Sequence, residues 1–166
     1  LATKEDFDEL LRQLKMTTHE AESIKIELTR SNWVNQQQWM LRERYYIGLL
    51  NALYTLKDTV EHMQAWYMEP GSEHRDGDIN QSEGYVKLRS SAWKSFSDIK
   101  ELHGPAELVV SGNAVIALKE FYSIHWEASE FSACNAEWID KVHKGVKEAH
   151  KIVLREAKND LVPDIT

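Results

Sequence analysis

The sequence predicts an all-α fold, an up-down antiparallel helical bundle with a long coiled-coil-like first helix, and three observations carry that prediction. A 3-4 spacing of seam positions can be followed from Phe7 to Tyr67 with no proline in it. Further helix-period apolar stretches follow in the second half of the chain. Turn signals are concentrated at Pro70-Gly71, Asp76-Gly77 and Gly104-Pro105, and no strand pattern competes between them.

The first helix has a start signal at Thr3-Lys4-Glu5-Asp6, an Asp version of the capping box in which Thr3 and Asp6 satisfy each other's amides. Glu5, Asp6, Asp8 and Glu9 place carboxylates at the positive end of the helix dipole. The seam then runs through Phe7, Leu11, Leu14, Thr18, Ala21, Lys25, Leu28, Asn32, Asn35, Trp39, Arg42, Tyr46, Leu49, Leu53, Leu56, Val60, Met63 and Tyr67. A 3.5-residue repeat held this long is the pattern of a coiled coil. Polar residues interrupt its first half, whereas residues 45–67 are dense in Leu, Tyr and Trp. That contrast predicts a single helical domain over 1–166, with a stalk-like start over 1–35, a bundle over 36–160 and a tail over 161–166.

A loop is expected from Glu69 to Gly84, then a second helix over about Tyr85 to Leu102 with Tyr85, Leu88, Ala92, Phe96 and Ile99 on one face. Gly104-Pro105 should end it, since glycine fits a left-handed cap and proline cannot continue the ladder. Ser111 is a candidate N-cap for a third helix with Leu118, Phe121, Tyr122, His125 and Trp126 as its apolar face. The last pattern carries Trp138, Ile139, Val142, Val146, Ala149 and Val153. Whether the chain breaks between these two around Ser129 to Asn135 is left open. Short connections favour antiparallel neighbours. The rival arrangement is one long hairpin in which Gly104-Pro105 is only a jog. Either leaves part of residues 4–35 unpaired within one chain, an exposed seam suited to a homo-oligomer or a partner helix.

Composition narrows the function classes. The 166 residues are 42% hydrophobic and 28% charged with a net charge of −7, a balance suited to one globular domain and opposed to bulk nucleic-acid binding. The single cysteine, Cys134, excludes an internal disulfide framework and a Cys-rich zinc site. No run of about 18 apolar residues occurs, so the sequence in hand contains no membrane span.

Few motifs point to chemistry. Asp76-Gly77-Asp78-Ile79-Asn80 spaces oxygen ligands as a calcium loop does, but Gln81 and Lys87 stand where an EF-hand needs glycine and glutamate. Among seven histidines, His62, His125 and the Asp140-x-x-His143 pair are the candidate metal ligands; the second Glu-x-x-His motif of a bundle di-iron site is missing. Cys134 lacks a glycine-rich oxyanion turn, and there is no phosphate loop, dinucleotide fingerprint or nucleophile elbow. No catalytic residue and no cofactor are therefore assigned. Lys141, Lys144, Lys147, Lys151, Arg155 and Lys158 recur every three or four residues as a basic stripe for an anionic, phosphate-bearing partner. Against it, Glu137–Lys141 and Asp140–Lys144 have the spacing of ordinary helix-surface pairs. Trp39, Tyr46, Tyr54, Trp66 and Tyr67 suggest an aromatic cage or, at helical spacing, simply core.

The opening Leu1-Ala2-Thr3-Lys4-Glu5-Asp6 resembles that of a loose group of uncharacterised bacterial membrane-anchored helical proteins. Leu41-Arg42-Glu43-Arg44-Tyr45-Tyr46, the junction from Leu108 to Val115 and the closing Arg155 to Leu161 are similar to further segments of that group. The resemblance implies a transmembrane anchor in a segment missing before Leu1 and a place at the bacterial inner membrane, with the helical part on the cytoplasmic side. It implies no catalytic residue. Together these readings describe the helical interaction module of a membrane-anchored protein. A metal-binding bundle enzyme or sensor and a binder of anionic partners are the alternatives.

Overall fold

The computed structural model describes residues 4–68 and 76–162, with side chains over 9–66 and 77–162. Its helices are α1 (Lys4–Met68), the single turn α2 (Asp76–Ile79), α3 (Glu83–Ala106), α4 (Gly112–Phe131) and α5 (Asn135–Leu161), and no strand occurs among the described residues. The cap expected at Thr3 and the end of the tail lie outside those residues. The chain divides into two compact units, Leu1–Met40 and Leu41–Thr166.

The second unit is an all-α bundle whose core follows from the apolar periodicity. Tyr46, Leu49, Leu53, Leu56, Val60 and Met63 of α1 are all essentially inaccessible. They meet Tyr85, Ala92 and Ile99 of α3, Leu118 and Phe121 of α4, and Ile139, Val142, Val146 and Val153 of α5. Cross-helix contacts give the directions. Gly48 lies against Leu102 and Gly84 against Trp66, so α3 runs antiparallel to α1. Tyr46 reaches Asp160 and Glu61 reaches His143, so α5 also runs antiparallel to α1. Phe96 with Phe121, and Glu156 with Ser111, place α4 antiparallel to both α3 and α5. The order is up-down-up-down, as short connections favour.

Two helix ends show what decides a boundary. Ser111 caps α4, its Oγ accepting from the Ala114 amide at 3.1 Å. The expected stop at Gly104-Pro105 is not one: α3 continues through both to Ala106. Gly104 needs no left-handed backbone, and the fixed φ of Pro105 is compatible with a helix at the loss of its own amide bond to the preceding turn, while His103 and Ala106 on either side are buried. The chain turns instead at 107–110, where the Glu107 amide donates to His103 O and those of Val109 and Val110 to Ala106 O. α4 and α5 are separate helices broken at Ser132–Cys134.

Gly145 lets α5 approach α4 closely. A Cβ there would lie 3.0 Å from Ile124 Cγ2 and 3.2 Å from Phe121 Cδ2. Alanine favours helix over glycine by about 1 kcal/mol, but overpacking a core costs about 1–3 kcal/mol. Gly145→Ala should therefore lower stability by about 1 kcal/mol in urea unfolding. A more stable variant would show that Ile124 simply moves aside.

Candidate functional site

The expected metal ligands have other partners. His62 is exposed, its Nδ1 2.8 Å from the Asp58 carbonyl oxygen one turn back. Asp140 accepts from Lys144 Nζ at 2.7 Å. His143 pairs instead with Glu61 of α1, Nε2 to Oε1 at 3.0 Å, a carboxylate that the Asp140–His143 spacing does not indicate. That hydrogen bond holds the Glu61 carboxyl below its ordinary range. Among the described residues no group of three or more His, Cys, Asp or Glu is placed to hold a metal ion.

His125 lies in an aromatic core. Its ring stacks on Phe96 at a centroid distance of 3.6 Å and 7°, with Trp93, Phe121 and Trp138 meeting it edge-on. Burial first, and the charge of Lys100 second, push its pKa down to about 4. Beside it, His103 Nδ1 and the Tyr122 hydroxyl are 2.9 Å apart, and burial raises the Tyr122 pKa while lowering that of His103. Burial thus favours the neutral form of both histidines.

The basic residues of α5 lie on the helix face opposite its buried residues. Lys141 pairs with Glu137, Lys144 with Asp140, Lys151 with Glu148 and Arg155 with Glu156. Only Lys147 and Lys158 have no ion pair among the described residues. Cys134 is exposed at the start of α5. Of the aromatic cage candidates, Tyr46 is core, Tyr54 faces outward beside His150 and Trp66 covers Gly84. The Tyr67 side chain lies outside the described residues. Asn80, from the acidic loop, uses its side-chain oxygen to accept from Asn135 and Arg89.

A polar network closes the other end of the bundle. The Tyr46 hydroxyl accepts from the Ser111 amide at 2.9 Å and donates to Asp160 at 2.5 Å. Ser111 Oγ donates to the buried Glu156 at 2.8 Å, and Arg42 donates to Val109 O at 3.0 Å. Burial and the Asp160 acceptor raise the Tyr46 pKa, and the Ser111 hydroxyl lowers that of Glu156. α1, the α3–α4 link and α5 are thereby tied together.

Among the described residues of the second unit, concavities include a larger and a smaller one. The larger, about 740 Å³, lies between α1 and α3, where Gly48, Ala52, Ser91 and Ser95 are small; its charges are mixed and Lys94 is already paired with Asp98. The smaller, 170 Å³, has Tyr85, Trp93 and Trp138 among its walls, with Arg89 the one charged residue among the described residues that line it.

In the first unit every described side chain from Glu9 to Met40 is exposed. Its large apolar residues include Leu10, Leu14, Ile24 and Leu28, exposed by 64, 64, 58 and 60%. With Thr17 and Ala21 between them they make a 3-4 stripe. This stripe differs from the spacing followed along the whole helix at three positions, Leu10, Thr17 and Ile24 standing beside Leu11, Thr18 and Lys25. In the heptad frame of that stripe Glu20 and Lys25 flank the seam, and neither has an ion pair among the described residues.

The fold and these surfaces define a four-helix up-down bundle in one unit and a helix with an unpaired apolar stripe in the other. No described helix is long and apolar enough to cross a membrane. Comparison of the chain with protein-family models, curated proteins and solved structures gives no match.

Proposed function

We propose that this protein is a helical interaction module that self-associates through residues 10–28, two copies pairing in parallel and in register. The observation that carries it is the exposed stripe Leu10, Leu14, Thr17, Ala21, Ile24 and Leu28. Exposed apolar residues at 3-4 spacing are the a and d positions of a coiled-coil seam, and water contact leaves their burial energy unrealised.

Charge selects the orientation. In a parallel pair each g position faces the e position five residues further along the partner helix. Glu20 then meets Lys25 of the second copy, twice by symmetry, while the flanking pairs Gln13–Thr18 and Glu27–Asn32 are neutral or singly charged. An antiparallel pair sets g against g, bringing Glu20 to Glu20 and Glu27 to Gln13. Attraction favours the parallel arrangement. The bilayer attachment implied by the resemblance enters this reading on that resemblance alone; a parallel pair would put both N-termini on one side.

Sedimentation equilibrium tests the pairing. The protein should associate with increasing concentration, and Leu14→Glu with Leu28→Glu should weaken this at least about 100-fold, since each leucine contributes about 1.5–3 kcal/mol. Lys25→Glu alone should weaken association, and adding Glu20→Lys should restore it. A chain that stays monomeric at millimolar concentration, or a charge swap without rescue, overturns the proposal.

A further inference from the structure

We propose that the hollow between α3, the end of α4 and the start of α5 binds a small aromatic carboxylate. Tyr85, Arg89 and Trp93 from α3, Ser129 from α4, and Asn135 and Trp138 from α5 converge there. This is independent of the self-association of the first unit.

Three features define the ligand class. Size is the first: 170 Å³ is well below the roughly 300–1,000 Å³ of drug-sized pockets, so the hollow holds about one ring. The walls are the second. Trp93 and Trp138 have ring centroids 6.4 Å apart at 28°, and Trp93 is 49% exposed, so a flat indole surface is presented to solvent. Flat π-faces of this kind suit an aromatic ring.

Charge is the third. An aromatic hollow can equally take an organic cation. Among the described residues no acidic side chain lines it, and the one charged group is the Arg89 guanidinium. Arg89 makes no ion pair among the described residues; its one hydrogen bond is to Asn80 Oδ1, at 3.4 Å. The same oxygen accepts from Asn135 Nδ2 at 2.9 Å, so a guanidinium and an amide are aimed at a single acceptor beside the aromatic walls. Guanidinium N–H groups left over from that bond form the fork that a carboxylate takes in bidentate fashion. A cation is repelled and a carboxylate is drawn to this edge. Trp138 Nε1 donates to Ser129 Oγ at 3.2 Å and that hydroxyl to His125 O at 2.8 Å, which fixes the indole wall before any ligand arrives.

The test follows the Trp138 indole N–H resonance of the full chain during titration with benzoate, its neutral isostere benzamide, and acetate. Benzoate should shift it saturably, with benzamide about tenfold weaker and acetate without saturation over the same range. Arg89→Gln, an exposed position whose change leaves the fold intact by circular dichroism, should reduce benzoate to the affinity of benzamide. Arg89→Lys should fall between. Absence of saturation by benzoate, equal binding of benzoate and benzamide, saturation by acetate, or unchanged benzoate binding in Arg89→Gln overturns the proposal.

Discussion

Replacing His125 with phenylalanine is expected to leave stability at about pH 7.5 within about 1 kcal/mol of the parent and to raise it by about 2.5 kcal/mol at about pH 4.5. The packing argument comes from the stack on Phe96: a ring of similar size and shape keeps the 3.6 Å contact and the edge contacts from Trp93, Phe121 and Trp138. The pH argument comes from the depressed pKa. In the unfolded chain His125 titrates near 6.5 and in the fold near 4. Above 6.5 both states are neutral and nothing is lost. As pH falls towards 4 the unfolded state takes up a proton that the folded state refuses, so stability declines across that window and levels off below it. The full shift corresponds to about 3 kcal/mol at 1.36 kcal/mol per unit.

The window also separates this effect from the carboxylates. Glu61, Glu107, Glu137 and Glu156 all titrate below their ordinary 4.5 in the fold, so their contributions are present above that value and lost beneath it. His103 and His150 are depressed in the same direction as His125 and leave a residual slope in the variant. Urea unfolding from about pH 7.5 to 4.5 measures all of this. A variant with the parent's full slope would mean that His125 is protonated within the fold.

Helix content was legible because burial and periodicity coincide: Tyr46, Leu49, Leu53, Leu56, Val60 and Met63 are both the seam read from spacing and the inaccessible residues of α1. The face of α4 was legible in part. Leu118, Phe121 and His125 are inside, but Trp126 is 58% exposed, and Ala114, Ala117 and Ala128 take the buried places. Small residues are buried where helices approach closely, which depends on a neighbour that spacing along one helix does not reveal. The same holds for Gly104-Pro105, where burial of His103 and Ala106 against neighbouring helices outweighs a breaker signal.

Long-range pairs were the least legible. The union of Glu61 with His143, and that of Arg89 and Asn135 at Asn80, join residues far apart in the chain, and only the antiparallel register brings them together. In the basic stripe the pairing was legible for the i,i+4 partners Glu137 and Asp140 and not for Glu148 or Glu156. Local spacing identifies a face; the fold decides what it meets.

The Tyr46 network makes that dependence measurable. Tyr46→Phe is expected to cost about 2–3 kcal/mol, although the ring stays in place and no cavity opens. Its hydroxyl serves two groups at once: it is the acceptor for the Ser111 amide at 2.9 Å and the donor to Asp160 at 2.5 Å. Losing it leaves a partly buried amide without an acceptor and removes a charge-assisted bond, each worth about 1–3 kcal/mol. Ser111→Ala attacks the same junction from α4, removing the cap on Ala114 and the bond to Glu156, at a cost of about 2 kcal/mol. Because Ser111 belongs to both halves, the double variant should fall short of or exceed the sum by about 0.5 kcal/mol or more, as contacting residues do. Urea unfolding of the two single variants and the double measures the coupling. Additive losses would mean that Tyr46 and Glu156 hold α4 independently, and a Tyr46→Phe cost below about 0.5 kcal/mol would mean that water replaces the hydroxyl.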